Sequence, residues 1–143
     1  MNWPDKEPLV SFIYTTRSTY SQVDQMGYVY YSRYLEYFEV ARTEMIRSLG
    51  YSYRELENSG VMLPVVEANI RYHHPITYDQ QINIKVSVFE LPMVKLDTFY
   101  EVFTAEQESL CVKGKVTLCF MNAENRKPCR APEAFLHQLK TKS

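Results

Sequence analysis

The chain changes hydrophobic period several times, and each change marks an element. Residues 8–17 (PLVSFIYTTR) are apolar and β-branched and predict a first strand. The polar stretch STYSQVDQMG follows and predicts a loop ending at Gly27. From about Tyr30 to Leu49 the spacing lengthens. Tyr31, Tyr34, Leu35, Phe38, Ala41, Met45 and Leu49 recur every three or four positions, while Glu36, Glu39, Arg42, Glu44 and Arg47 fall mostly on other faces. That pattern predicts a long amphipathic helix closed by Gly50 at its C′ position. Ser52 with Glu55 three residues on is a capping box and predicts a short second helix to about Asn58.

After Gly60 the period becomes that of strands. Residues 62–74 predict one strand, and Pro75 to Gln80 a turn. Ile82, Ile84, Val86 and Val88 alternate with Asn83, Lys85 and Ser87, the clearest period of two in the chain. Two more strands are expected at about 93–104 and 109–121, joined by the turn AEQES. Asn122 to Arg130 reads as a polar turn, and PEAFLHQL as a closing helix with Pro132 at its start. One strand, two helices and then four strands joined by short turns predict an α+β fold: a mainly antiparallel, curved meander wrapping the long helix. The chain, 1–143, reads as one domain with a loose tail at 1–7.

Composition narrows the function classes. The 143 residues suffice for a single core, and 16 basic against 17 acidic side chains lack the basic excess of a nucleic-acid binder. Cys111, Cys119 and Cys129 form no CxxC pair, which fits a reducing, cytoplasmic setting. The stretch MNWPDKEPLV lacks the apolar run of a signal peptide, and no run is long enough to span a membrane. Tyrosine is the outlier. There are 12, and six lie between positions 20 and 37: Tyr20, Tyr28, Tyr30, Tyr31, Tyr34 and Tyr37.

That crowding brackets the main chemical candidate, Asp24. A carboxylate beside an aromatic wall can act as base or nucleophile, because desolvation raises its basicity. Free N–H groups in the first turn of the following helix offer a place for developing negative charge. The same residue also fits a plain turn or cap role. His73 and His74, adjacent on a strand, point to opposite faces and cannot share one metal there. His137 has no partner in sequence. Glu36 and Glu39 read as solvated helix charges unless they face a cleft. Lys95, Lys113, Lys115, Arg126, Lys127 and Arg130 could meet phosphates, or be ordinary surface charge. No phosphate loop, GxSxG or HExxH occurs.

The segment from Tyr20 to Arg42, YSQVDQMGYVYYSRYLEYFEVAR, resembles the signature of the 4-hydroxybenzoyl-CoA thioesterase family of hotdog-fold acyl-CoA thioesterases. The Tyr72–Pro75 segment with its Tyr-Asp-Gln turn, and Asn125 to Pro132 before the last helix, extend the likeness over about residues 9–139. The resemblance implies a five-stranded antiparallel sheet wrapped around a long central helix, and thioester hydrolysis to free acid and CoA without metal or cofactor. It implies Asp24 as base or nucleophile and the Tyr31 N–H as the group polarising the thioester oxygen. Tyr28 and Tyr30 would line the acyl cleft, and Lys95 and Lys113 would meet CoA phosphates. The substrate would be an acyl-CoA or acyl-carrier thioester. The resemblance further implies a homodimer or homotetramer joined sheet edge to sheet edge, with active sites between protomers. Arg33 departs from the family's usual asparagine, and Gln22 from a frequent glutamate. Two other readings remain open: a non-catalytic acyl-CoA-binding module, and a hotdog hydratase/dehydratase using a histidine.

Overall fold

The computed structural model describes residues 1–105 and 110–142. Ten elements carry the architecture. Strand β1 (Val10–Arg17) is followed by helix α1 (Arg33–Ser48) and helix α2 (Tyr53–Asn58). Strands β2 (Val61–Met62), β3 (Val65–Tyr72), β4 (Gln81–Val88), β5 (Lys95–Thr104), β6 (Val112–Cys119) and β7 (Met121–Asn122) come next. Helix α3 (Glu133–Lys142) closes the chain.

Five strands form one antiparallel sheet in the order β1-β4-β5-β6-β3. Its register puts Phe12 opposite Val86, Tyr14 opposite Ile84 and Tyr100 opposite Gly114, so the alternating apolar sets share the inner face. Helix α1 lies on that face. Its buried residues are Tyr34, Tyr37, Phe38, Ala41, Arg42, Met45 and Ile46. Phe38 stacks on Tyr100 with ring centroids 4.2 Å apart, in the space left where Gly114 has no side chain. The helix ends as its sequence requires. Gly50, at φ 83°, donates to the Arg47 carbonyl, and the Tyr51 N–H reaches back to Ile46. These two bonds are the Schellman motif, whose left-handed position glycine occupies without a Cβ clash.

Several expectations are corrected. The helix begins at Arg33, not Tyr30, because the tyrosines before it are held in a turn. Tyr31 and Leu35, expected on the apolar stripe, are exposed, whereas Arg42, expected outside, is only 6% exposed. The single strand expected at 62–74 breaks at Pro64, which lacks the N–H a sheet interior needs. Its first part, β2, pairs with β7 in a small ribbon. Its second part, β3, crosses the sheet to pair with β6 rather than following into a meander with β4. The turn expected at 105–109 lies, apart from Ala105, outside the described residues.

The N-terminal segment expected as a loose tail makes specific contacts. Trp3 packs edge-on against Phe89 and Phe99 on the outer face of the sheet, and Lys6 pairs with Glu90. At the far end Phe135 and Leu139 of α3 are buried, the former against Tyr51 and Phe120.

The two edges of the sheet differ. β1 alternates half-buried and exposed residues because α1 covers its inner side. β3 is exposed along nearly its whole length, including the apolar Val65, Val66 and Tyr72. Among the described residues no strand pairs with its free edge.

Candidate active site

The segment between β1 and α1 is a small hairpin built around Asp24. The Asp24 N–H donates to the Tyr28 carbonyl at 2.8 Å, the Gly27 N–H donates to the Asp24 carbonyl at 3.0 Å, and Val23 bridges to Val29. Gly27 takes φ 81°, a conformation that suits glycine at this turn. Asp24 Oδ1 accepts N–H groups from Met26 at 2.8 Å and Tyr28 at 3.3 Å. This is the turn role that the sequence left open, and it uses one oxygen. Oδ2 has no hydrogen-bond partner among the described residues, and the side chain is exposed. The desolvating wall expected around Asp24 is thus incomplete within one chain.

The hairpin is docked on both sides. The Val29 N–H donates to the Ile76 carbonyl at 2.7 Å, and Tyr28 bridges to Thr77. The Tyr30 N–H donates to the Gln22 carbonyl, and the Tyr37 hydroxyl of α1 donates to Gln22 Oε1 at 2.6 Å. Gln22 Oε1 also accepts the Thr19 N–H at 2.9 Å. Burial, then the nearby Glu36 charge, pushes the Tyr37 phenol up to about 12 despite the opposing Arg33. Gln22, which stands where the resemblance has a frequent glutamate, links the Asp24 loop to the helix.

Tyr30 and Tyr31 stand at the helix entrance with ring centroids 4.4 Å apart. The Tyr31 hydroxyl first, and the Asp24 charge among the weaker influences, raise the Tyr30 phenol above its ordinary value. The Tyr31 carbonyl accepts the Tyr72 hydroxyl from the end of β3 at 3.1 Å. Its N–H has no hydrogen bond among the described residues. Asp24, Tyr28, Tyr30 and Tyr31 are therefore gathered in one place. Arg33, beside them, is held by Glu36 at 3.1 Å in the first turn.

An open groove of about 700 Å³ is lined by residues of α1, α2, β3 and β6, beginning in the first turn of α1. Leu35, Glu39, Arg42, Tyr53, Val65 and Val116 are among its lining residues. Arg42 was missed in the sequence, although it lies four residues after Phe38 and three before Met45, on the buried face by helical geometry. Its Nε donates to the Tyr53 hydroxyl and its Nη1 to the Tyr100 hydroxyl, both at 2.9 Å. Thr98 Oγ1 gives its proton to the Val116 carbonyl at 2.9 Å, so the Tyr100 hydroxyl is the donor in its 2.7 Å contact with Thr98. Burial works against the guanidinium charge, and the phenol oxygens of Tyr100 and Tyr53 more than offset it, holding the group above its ordinary value.

The sequence model of the Thioesterase-like superfamily matches residues 19–139 of this chain. The chain belongs to that superfamily. It is 33% identical over 116 residues to YneP of Bacillus subtilis (strain 168), provisionally named an acyl-CoA thioesterase, covering 81% of this chain and 83% of that one. It is 25% identical over 129 residues to YbgC of Escherichia coli O157:H7, named an acyl-CoA thioester hydrolase, covering 90% and 96%. The crystal structure of a DHNA-CoA thioesterase from Staphylococcus aureus superimposes with a TM-score of 0.84 at 28% identity, covering 92% of this chain and 89% of that one. The sheet wrapped on one long helix is the hotdog fold of this thioesterase-like superfamily, as the sequence implied.

The remaining candidates lie elsewhere in this thioesterase-like chain. Lys113 and Lys115 project from the outer face of the sheet. Lys113 Nζ sits 4.2 Å from the Trp3 ring centroid, and Lys115 lies 4.0 Å from Asp97. Lys95 is exposed beside a second groove of about 480 Å³ that Trp3 and Phe99 also line. No contact joins Lys95 or Lys113 to Asp24. His73 and His74 are exposed beyond the end of β3, where both backbone N–H groups bond the Cys111 carbonyl. His137 is exposed on α3. Among the described residues no helix is long and apolar enough to cross a membrane.

Proposed function

We propose that this protein is an acyl-CoA thioesterase of the 4-hydroxybenzoyl-CoA thioesterase type, acting in the cytoplasm. One observation carries the reading. A carboxylate with a free oxygen and a helix-entrance N–H with no internal bond stand within the same short segment. In this reading Asp24 Oδ2 either removes a proton from water as that water attacks the thioester carbonyl carbon, or attacks the carbon itself. In both routes the carbonyl oxygen takes the negative charge and the Tyr31 N–H stabilises it there. The carbon–sulfur bond then breaks, and the CoA sulfur leaves and takes up a proton. In the second route water then hydrolyses the acyl-aspartyl anhydride. Tyr28 and Tyr30 form the wall on which the acyl group begins.

The exposure of Asp24 and of β3 supports a second part of the reading. Two copies joined along β3 would pair the free edge, cover Val65, Val66 and Tyr72, and supply the missing wall of the site. We therefore propose a homodimer as the working unit, with pairing of dimers as a further step. Lys95 and Lys113 are the proposed partners of the CoA phosphates. The hydratase alternative needs a histidine at the helix entrance, whereas the residues of that entrance are Tyr30, Tyr31 and Ser32, and the backbone N–H groups of His73 and His74 are tied to the Cys111 carbonyl.

The test is hydrolysis of a panel of acyl-CoA and acyl-carrier thioesters by wild type and Asp24→Asn. Asparagine keeps the Oδ1 that accepts the Met26 and Tyr28 N–H groups, so the loop is retained while the base is lost. A fall in kcat of about 10²–10⁴-fold is expected. Equal rates would overturn the role of Asp24. Absence of hydrolysis of every thioester by wild type would overturn the enzyme reading, and binding without turnover would establish the non-catalytic module.

A further inference from the structure

The Tyr31 backbone is held from the sheet as well as from its own loop. Tyr72 is the last residue of β3, where it pairs with Val112 of β6. Its hydroxyl donates to the Tyr31 carbonyl at 3.1 Å, across 41 residues of chain. Its ring meets Tyr34 edge-on, with centroids 5.6 Å apart. Tyr34 is 2% exposed, so the Tyr72 ring is seated on a fixed neighbour. Burial first, then the nearby Tyr31 phenol, hold the Tyr72 phenol above its ordinary value, so the hydroxyl keeps its proton and remains a donor at neutral pH.

That hydroxyl takes a carbonyl the helix leaves unused. In a continuous α-helix the Leu35 N–H would bond the Tyr31 carbonyl. It goes to the Ser32 carbonyl instead, at 3.3 Å. On the other side of Tyr31, the Tyr30 carbonyl accepts the Arg33 N–H at 2.9 Å. A trans peptide sets the N–H of one residue opposite the carbonyl of the residue before it. The Arg33 bond therefore fixes the peptide plane that contains the Tyr31 N–H, and the Tyr72 bond fixes the plane that follows. The two planes meet at the Tyr31 Cα, so holding both restricts φ and ψ there and gives the N–H one direction. The Tyr31 side chain is 59% exposed and cannot supply this restraint by burial.

We propose that Tyr72 is a positioning residue for thioester cleavage: through the Tyr31 carbonyl it aims the Tyr31 N–H at the thioester oxygen. The proposal rests on the thioesterase reading of Asp24 and Tyr31 and deepens it. Negative charge develops on that oxygen only as the carbonyl carbon is attacked, so a well-aimed N–H acts on the transition state more than on bound substrate. Loss of aim should therefore appear in kcat rather than in KM.

The experiment compares wild type with Tyr72→Phe, which keeps the ring against Tyr34 and removes only the donor. Both are assayed on the acyl-CoA that wild type hydrolyses fastest, and kcat is expressed per folded molecule, with the folded fraction taken from urea unfolding curves. A fall in kcat of about 10- to 100-fold is expected, smaller than the roughly 10²–10³-fold cost of losing an oxyanion donor outright. KM should stay within about twofold. A residue that served the fold alone would leave kcat per folded molecule unchanged. In 15N relaxation the Tyr31 amide is expected to show an order parameter of about 0.85 in wild type, that of rigid backbone, and a clearly lower one in the variant.

Unchanged kcat per folded molecule, or a loss carried by KM, would overturn the proposal, as would equal Tyr31 order parameters in the two proteins. If wild type hydrolyses no thioester, the thioesterase reading fails separately. The order parameter needs no substrate, and it then decides by itself whether Tyr72 holds the Tyr31 backbone, with the same expected and overturning results.

Discussion

The Tyr37 hydroxyl donates to Gln22 Oε1 at 2.6 Å, a side-chain bond that ties the central helix to the loop that carries Asp24. Tyr37 is buried in the first half of α1, so the anchor point is rigid. Gln22 shares the same oxygen with the Thr19 N–H and gives its own carbonyl to the Tyr30 N–H. One residue thus positions the chain on both sides of Asp24.

Tyr37→Phe removes the donor and leaves the ring. The expected cost is about 1 kcal/mol of stability, typical of one hydrogen bond. Activity should fall by more than that cost implies, because misplacement of a reacting group by an ångström costs heavily. Gln22→Glu should retain most activity, since a carboxylate accepts the same two donors. Urea midpoints and kcat, measured together, check both variants. Unchanged kcat in Tyr37→Phe would show that the loop is held by its other bonds.

A second prediction concerns the floor of the helix seat. A Cβ at Gly114 would lie 2.5 Å from Phe38 Cε2 and 2.7 Å from Cζ. Phe38 cannot turn aside, because it stacks on Tyr100. Gly114→Ala should therefore cost about 1–3 kcal/mol through overpacking. Adding Phe38→Leu should recover part of that loss, and a double-mutant cycle of urea midpoints measures the coupling. Additive effects of the two changes would show that the clash is relieved elsewhere.

The cap of α2 gives a third. Ser52 Oγ accepts the Glu55 N–H at 3.1 Å. Ser52→Ala is expected to cost about 1 kcal/mol. The same change should weaken the hold of α2 on Tyr53 and so on Arg42, whereas Ser52→Asp should restore both. Thermal denaturation reads the cap, and a double-mutant cycle with Tyr53→Phe reads the connection to Arg42.

These elements differ in how far the sequence disclosed them. Gly50 and the Ser52–Glu55 pair are local signals, and both sit where their spacing put them. The alternation from Ile82 to Val88 gave β4 and its inward face. The start of α1 was misplaced by three residues because Tyr30 and Tyr31 continue the helical spacing, yet their backbone is tied to the Asp24 hairpin. The partner of β3 was not legible, since pairing with β6 is a long-range choice that no local pattern encodes. Arg42 was misassigned by residue type: charge suggested the surface, whereas its place between Phe38 and Met45 put it inside. At the candidate site, the turn role of Asp24 was legible from Gly27 three residues on, whereas its exposure was not, because the aromatic side chains around it in sequence do not close over it in the fold.

The buried phenol of Tyr37 predicts an alkaline limit. Its pKa is raised in the folded chain to about 12, by burial first and the Glu36 charge second. A raised folded value means that the unfolded chain gives up its proton first as the pH rises. The associated stability is complete below the ordinary tyrosine value near 10 and is lost progressively as the pH climbs through about 12. Tyr34, also raised by burial, adds to the loss in the same direction. Urea midpoints should hence be level up to about pH 9.5 and fall steeply above it. In Tyr37→Phe the titrating group is gone, so the fall between pH 10 and 12 should be shallower even though the variant is less stable at neutral pH. Parallel curves for wild type and Tyr37→Phe over that range would mean that the Tyr37 hydroxyl is no harder to ionise in the folded chain than in the unfolded one.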